Sequence, residues 1–446
     1  MDTHRFTLRK EYFGGILHDV EALTCEVLSP SEYGVLARSA AAGSADPAWH
    51  RLGLAVGRRV GSAGGVLAFL AALRPVPPAP IIPQNCLTAP IRIYDTFTRR
   101  CNLNCPQCCA ASNAGFAEAR RSITETILIM RKFYEAGTPE WRFTGGEPTS
   151  CADLPAAIAA AKSLCMGVML NTNGCWNEEQ RETLPASGLD EVIISMEGRE
   201  DINDQRRNAG TFRKILLAMD AIDRHNRRGG HLRVTVNMTV ARDNVSEVPY
   251  VVRLGAERGY NVNFVPLRPY GRTPQALPDA MMSTGEFHEF SRLVQCLRED
   301  PAIKASGIRV IHRNMDLFCP DYADRGIYPV PFDYSDCGAL STGFGLCPDG
   351  RVNACSFLMD DPHMVGPSML EASVQEAWLH PKMDRLRHAV KVECNGCRFY
   401  KRQCEGKCRA MVLAEGGTIR NGKLLGRDRY CHALLMDGGW RRAEVS

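Results

Sequence analysis

Between residues 91 and 268 the chain repeats one unit: a short apolar run, a polar loop, a stretch with helical spacing, a glycine, and the next apolar run. The runs at 91–97, 141–144, 168–171, 191–195, 233–239 and 263–267 predict strands. Helix starts are predicted at Ser122-Ile-Thr-Glu125 and Asn244-Val-Ser-Glu247, where a short polar residue precedes a glutamate by three, the pattern of a capping box. Gly137, Gly167, Gly188, Gly229 and Gly259 are predicted to close helices in the left-handed conformation. Six strand–helix units in a row predict an α/β fold with a parallel sheet. In such folds the loops at the C-terminal ends of the strands carry the chemistry.

The flanks follow other rules. Residues 1–74 form a first unit, with two short strands expected within 13–27, turning near Asp19. Ser29-Pro-Ser-Glu32 combines a capping box with proline at the first helical position, a strong helix start, and more helix is expected within 47–73. Five prolines between 74 and 83 predict an extended linker over residues 75–90. The apolar stretch 52–73 is interrupted by Arg58 and Arg59 and is too short to span a bilayer. The first residues lack a signal-peptide layout, so a cytoplasmic location and no membrane partner are expected. A net charge of +4 over 446 residues does not call for nucleic acid, and none is expected as a partner.

In a reducing compartment, nineteen cysteines are not disulfides, and the clustered ones point to metal. Cys101, Cys105 and Cys108 follow the first predicted strand as CxxxCxxC. A four-iron cube takes four thiolates. Three from one loop leave one iron without a protein ligand, the open position that distinguishes a catalytic metal site from a structural one. A zinc site or buried thiols is the alternative. In the C-terminal third come Cys337, Gly350 with Cys355 five residues on, Cys394-x-x-Cys397, Cys404-x-x-x-Cys408 and Cys431. A zinc ribbon is the alternative there. Cys109, Cys151 and Cys175 follow the strand-end motifs and would face a substrate or pack as small apolar groups; Cys25, Cys86, Cys165 and Cys296 stand alone.

The three-cysteine loop, with Gly145-Gly-Glu-Pro148 after the second strand, resembles the radical S-adenosylmethionine (radical SAM) enzymes. That resemblance implies a partial (β/α)6 TIM-type barrel over residues 91–300. Its cluster binds S-adenosylmethionine and cleaves it to a 5′-deoxyadenosyl radical. It further implies that Gly145, Gly146 and Glu147 hold the amino group, the glycines by letting backbone approach the ligand, and that Gln107, Asn173 and Ser195 lie against the cofactor. Asn203-Asp-Gln-Arg-Arg207 through Phe212 is similar to the family's His-Asp-x-x-Arg…Gly-Ser-Phe segment, with Asn203 in place of histidine, so Arg207 would pair with the methionyl carboxylate. Gln107 replaces the usual aromatic, and Cys109 stands where tyrosine is common.

Residues 301–446 resemble the SPASM extension, a cysteine-rich iron–sulfur domain with two auxiliary clusters. The resemblance assigns Cys337, Cys355 and Cys408 to the first cluster and Cys394, Cys397, Cys404 and Cys431 to the second. Cys319 is favoured over Cys347 as the fourth ligand of the first. The gap between Cys397 and Cys404 is one residue longer than usual. Residues 1–74 resemble the winged-helix-like, PqqD-like domains that bind leader peptides by strand addition. The whole implies a maturase that oxidatively crosslinks a ribosomally made precursor peptide and takes electrons from a flavodoxin or ferredoxin. Sulfatase-type formylglycine formation is the alternative, disfavoured because Ser356 follows Cys355 where that type has aspartate. So is a small-molecule radical SAM dehydrogenase. A noncatalytic iron–sulfur or zinc protein is the alternative from another class.

Overall fold

Short strands build two large sheets and a small three-stranded one (Val390–Lys391, Thr418–Arg420 and Lys423–Leu425) in this protein, whose computed structural model describes residues 4–49, 52, 54–117, 119–312, 338–391, 394, 408–426 and 428–431. The first sheet holds β1 (Phe6–Glu11), β2 (Gly14–Asp19), β3 (Thr24–Leu28) and β4 (Leu73–Pro75) in the order β3-β2-β1-β4. β2 and β3 turn after Asp19 as predicted, while β1 answers to no predicted run. The helix predicted from Ser29 runs Pro30–Ala42 with its capping box formed. Phe6, Leu8, Leu17, Leu36 and Phe69 pack into a core of their own.

The six predicted barrel strands are β5 (Arg92–Thr98), β6 (Glu140–Gly145), β7 (Gly167–Thr172), β8 (Glu191–Ser195), β9 (Arg233–Val240) and β10 (Asn261–Pro266). The sheet extends past them. β11 (Val310–His312) pairs with β10, and β12 (Gly343–Leu346) lies parallel to β5 and turns into the antiparallel β13 (Arg351–Asn353) and β14 (Val365–Ser368). One face of the sheet is apolar: Ile93, Trp141, Val168, Val192, Val236 and Phe264 join one core with the helices. The other face presents Thr96, Arg142, Asn171, Thr235, Asn237 and Asn263 at alternate positions. Among the described residues the helices pack on the apolar face, as they do where a parallel sheet curls toward a barrel.

Two predicted details differ. Asn244 forms no cap: its Oδ1 accepts from Ala241 N, its Nδ2 donates to Glu197 O and Thr239 O, and a 3₁₀ turn leads into the helix Val248–Arg258. Gly167 ends no helix. It opens β7, where a Cβ would meet the Leu23 side chain at 2.4 Å.

That contact belongs to the junction of the two sheets. Arg9 is buried against the barrel's N-terminal end, donating through Nε to Glu11 Oε1 (2.7 Å), through Nη1 to Pro90 O and Gly137 O, and through Nη2 to Ala89 O. Glu11 in turn accepts from Thr88 N and Oγ1. His18 Nε2 lies 3.2 Å from Glu140 Oε1, whose carboxylate also pairs with Arg92. The N-terminal unit thus rests on the starts of β5, β6 and β7, and Arg233 of β9 reaches Glu21 O. Among the described residues no helix is long and apolar enough to cross a membrane.

Candidate active site

The loop after β5 carries Cys101, Cys105 and Cys108, all half-buried. Backbone hydrogen bonds Cys101 N–Asn113 O (3.1 Å) and Cys108 N–Cys105 O (3.2 Å) fold it back on itself. Leu103 N donates to Cys101 Sγ (3.4 Å), and Asn173 Nδ2, from the loop after β7, approaches the same sulfur at 3.9 Å while donating to Asn102 Oδ1 (2.7 Å). Burial pushes the Cys101 thiol up to about 12 and raises that of Cys105. As free thiols these groups are neutral, so a bound metal must supply the positive charge that makes them thiolates. Three thiols on one loop, with N–H groups directed at sulfur, fit the cluster implied by the sequence.

Gly145 and Gly146 adjoin this loop. A Cβ on Gly145 would stand 2.1 Å from Thr98 O, and one on Gly146 2.2 Å from Arg100 O. Their amide neighbours bond the same strand end, Gly146 N to Thr98 O and Glu147 N to Arg100 O. The glycines therefore let the cysteine loop's own backbone approach β6, a role in addition to any contact with a ligand. Glu147 is fully buried and its carboxylate is engaged: Oε1 accepts from Thr149 N, Thr149 Oγ1 and Thr172 Oγ1, and Oε2 from Asn173 N. Burial raises its pKa against these four donors.

A second cluster of charge forms where β8 ends. Arg207 donates through Nε (3.1 Å) and Nη2 (2.5 Å) to Glu197 Oε1, which also accepts from Gln107 Nε2 (3.3 Å), while Glu197 Oε2 accepts from Thr239 N. Burial opposes the Arg207 charge, but Glu197 outweighs it and holds the guanidinium above its ordinary value. Arg207 Nη1 makes none of these bonds, and Gln107 Oε1 is buried without a partner. Asn203 Oδ1 accepts from Glu197 N, and Asp204 caps the helix Thr211–Arg227 through Gly210 N and Phe212 N. That is the physical content of the Asn-Asp-x-x-Arg…Gly-Thr-Phe pattern. Ser195 closes β8 beside Asn237, and Asn171 Oδ1, Asn263 Oδ1 and Thr96 Oγ1 on the polar face lack partners. A guanidinium whose Nη1 lies outside its ion pair, and several unpaired acceptors, beside a three-thiol loop fit a zwitterionic ligand such as S-adenosylmethionine.

A cavity of about 840 Å³ opens beside Cys101, with Arg100, Phe116, Arg120 and Cys151 in its wall. Cys109 is buried deeply enough that its thiol rises to about 12, and burial takes Cys175 to about 11. Neither Glu197 as partner of Arg207 nor the loop Tyr270–Arg272 follows from the sequence motifs. The signal for the loop is a Tyr-Gly-Arg run at the exit of the sixth strand, where a positive-φ glycine adjoins a cation.

Of the C-terminal cysteines, Cys319, Cys337, Cys397 and Cys404 lie outside the described residues. Cys408 caps the helix Arg409–Ala414 through Met411 N, and Asp428 links it to the last cysteine's loop by accepting from Cys408 N and Tyr430 N. Tyr270 lies within electrostatic reach of both Cys355 and Cys408. Cys394 is half-buried. Cys347 is buried with Ala110 and Met359 against Cys108, receives Asn353 Nδ2 at 3.2 Å, and has its thiol raised to about 11 by burial.

Residues 96–254 match the model of the Radical SAM superfamily. The chain is 25% identical over 339 residues to the PqqA peptide cyclase of Gluconobacter oxydans, covering 74% of this chain and 89% of that one. It is 26% identical over 359 residues to the mycofactocin maturase MftC of Mycolicibacterium smegmatis, covering 78% and 85%. In fold it is similar to Streptococcus suis SuiB bound to its precursor peptide SuiA, with a TM-score of 0.64, 14% identity and coverage of 92% and 95%. The matched residues lie in an α/β fold with a parallel sheet, and the protein is an enzyme.

Proposed function

We propose that this enzyme is a radical SAM peptide maturase, with SPASM-type auxiliary clusters and a leader-binding N-terminal unit. The observation that carries the reading is the three-cysteine loop at the C-terminal end of a parallel sheet, in a chain whose relatives are a peptide cyclase and a peptide maturase. Bound there, the cluster and S-adenosylmethionine supply a 5′-deoxyadenosyl radical that takes a hydrogen atom from the substrate. Cys101, Cys105 and Cys108 hold three irons. Arg207 offers Nη1 to the methionyl carboxylate while Glu197 fixes its plane, the geometry that favours arginine over lysine for carboxylates. Glu147 keeps the ends of β6 and β7 together, and its carboxylate would offset the charge of the ammonium. The polar sheet face, with Ser195, Asn171 and Asn263, receives ribose and substrate.

Cys355 and Cys408, with Cys337, hold one auxiliary cluster, completed by Cys319 or Cys347. Cys394, Cys397, Cys404 and Cys431 hold the other. Clusters held there would accept the electron that the substrate gives up after losing its hydrogen atom, completing a two-electron oxidation such as a thioether or carbon–carbon crosslink, whereas the electron that cleaves S-adenosylmethionine would come from a flavodoxin or ferredoxin. β3 is an edge strand, open on the side away from β2, and an extended leader adds to it. A short open reading frame beside the gene is the candidate precursor. Purified protein, loaded with iron under anaerobic conditions and given that peptide, S-adenosylmethionine and dithionite, should release 5′-deoxyadenosine and leave the peptide lighter by a pair of hydrogens. Release without any peptide change would point to a different substrate, and no release would sink the reading. Hydrogen exchange should slow over Thr24–Leu28 when the peptide binds; unchanged exchange there would remove the leader site.

A further inference from the structure

The loop leaving β10 touches both cysteine regions. Arg272 N donates to Cys108 O (3.1 Å), its Nε to Cys105 O (2.9 Å), and both Nη atoms to Ser112 O (2.9 Å). Gly271, at φ +61°, lies so close that a Cβ would stand 2.2 Å from Cys108 O. Tyr270 faces the other way. Its hydroxyl donates to Ala410 O (2.5 Å), two residues past Cys408, and its ring lies 5.4 Å from that of Phe357, two residues past Cys355. A little upstream, Leu267 O accepts from Tyr430, the neighbour of Cys431. One short loop thus joins the backbone of two barrel cysteines to the flanks of three C-terminal ones.

We propose that Tyr270-Gly271-Arg272 is a strap fixing the barrel cysteine loop against the C-terminal cysteines, with Arg272 a positioning residue whose charge sets the potential of the barrel cluster. The inference rests on the reading that Cys101, Cys105 and Cys108 hold a cluster. A cluster gains negative charge on reduction, and a guanidinium held at the ligand loop by three hydrogen bonds favours the reduced form. Neutralising it lowers the potential. Holding the loop needs the fork, whereas tuning the potential needs only the charge, so the two roles separate by substitution.

The test uses full-length protein reconstituted with iron and sulfide, without S-adenosylmethionine, in a redox titration followed by electron paramagnetic resonance. The barrel signal is the one absent from Cys105→Ala. Arg272→Gln should lower the midpoint potential of that signal, and Arg272→Lys should restore most of the wild-type value at equal iron content. An unchanged potential in Arg272→Gln, or an equal fall in both variants, overturns the proposal. If Arg272→Gln does not fold, Arg272→Lys decides alone: a potential like the wild type's supports the role of charge, and a lowered one overturns it. Wild-type protein that takes up no iron overturns the cluster reading itself, a result distinct from iron-loaded variants that titrate alike.

Discussion

The two ends of the sheet each bury an arginine beside a glutamate, and they use it differently. At the N-terminal end, Arg9 spends every donor group on the chain: Glu11 on Nε, Pro90 O and Gly137 O on Nη1, Ala89 O on Nη2. At the C-terminal end, Arg207 turns Nε and Nη2 to a single oxygen of Glu197 and keeps Nη1 unused. A buried ion pair adds little net stability over an apolar pair, yet breaking one is costly. Arg9 and Glu11 therefore act as a joint between two folding units, which fails if either member is lost. Arg207 keeps one terminal nitrogen outside its ion pair, which the proposed function gives to a ligand carboxylate. Saturated hydrogen bonding marks the mechanical end of the molecule, and unfilled hydrogen bonding marks the chemical end.

Four measurements would break or sharpen that contrast. The largest effect is expected from Cys105→Ala, which should abolish 5′-deoxyadenosine formation while leaving the N-terminal joint intact; wild-type protein should load roughly twelve irons if three four-iron cubes form. A variant that still cleaves S-adenosylmethionine would move the chemistry elsewhere. Arg9→Met should cost about 3–5 kcal/mol of stability by stranding Glu11. Its affinity for S-adenosylmethionine should not change, and a large loss in the folded variant would erase the distinction between the ends. Arg207→Met should weaken S-adenosylmethionine binding about 10–100-fold, the worth of a charge-assisted hydrogen bond to a carboxylate. Equilibrium binding to reconstituted protein reads this directly, and wild-type affinity would return Arg207 to a structural role.

The smallest effect concerns pH. Burial opposes the Glu140 charge, but Arg92 and His18 outweigh it and hold the carboxyl well below its usual range. A carboxylate depressed in the folded state stabilises the fold above its unfolded pKa of about 4.3. That stability is lost as pH falls through the lower folded value. Thermal melts below about pH 4 should therefore fall less steeply in Glu140→Gln than in wild type; parallel curves would show that the joint does not depend on this charge.

Local patterns are legible in the sequence and distant ones are not. The six strands appear as predicted because each combines an apolar face for the helices with turn residues at its ends, and the helices at Ser29 and Ser122 because a capping box closes within four residues. Asn244 carries the same letters without the cap, since Ala241 N takes its Oδ1, Glu197 O and Thr239 O fix its Nδ2, and Arg199 takes the Glu247 carboxylate. Gly167 answers to Leu23, on another sheet. In the site, the cysteine loop is legible because its ligands lie within eight residues of one another. The Gln107–Glu197–Arg207 network and the Arg272 fork join separate loops, and no spacing rule connects them.

If β3 pins the precursor as proposed, the joint at the N-terminal end also acts as a ruler. β3 belongs to the unit beneath the strand starts, whereas the cysteine loop lies beyond the strand ends, so the height of the sheet separates them. β9 spans eight residues, about 26 Å at 3.3 Å per residue. A peptide pinned along β3 can deliver a side chain to the far end only if at least about eight extended residues separate the pinned segment from the one that reacts. Shorter spacers would bind without reacting, since the Arg9 hydrogen bonds tie the N-terminal unit to the strand starts. The distance between leader and core would then be written into the precursor as a minimum length.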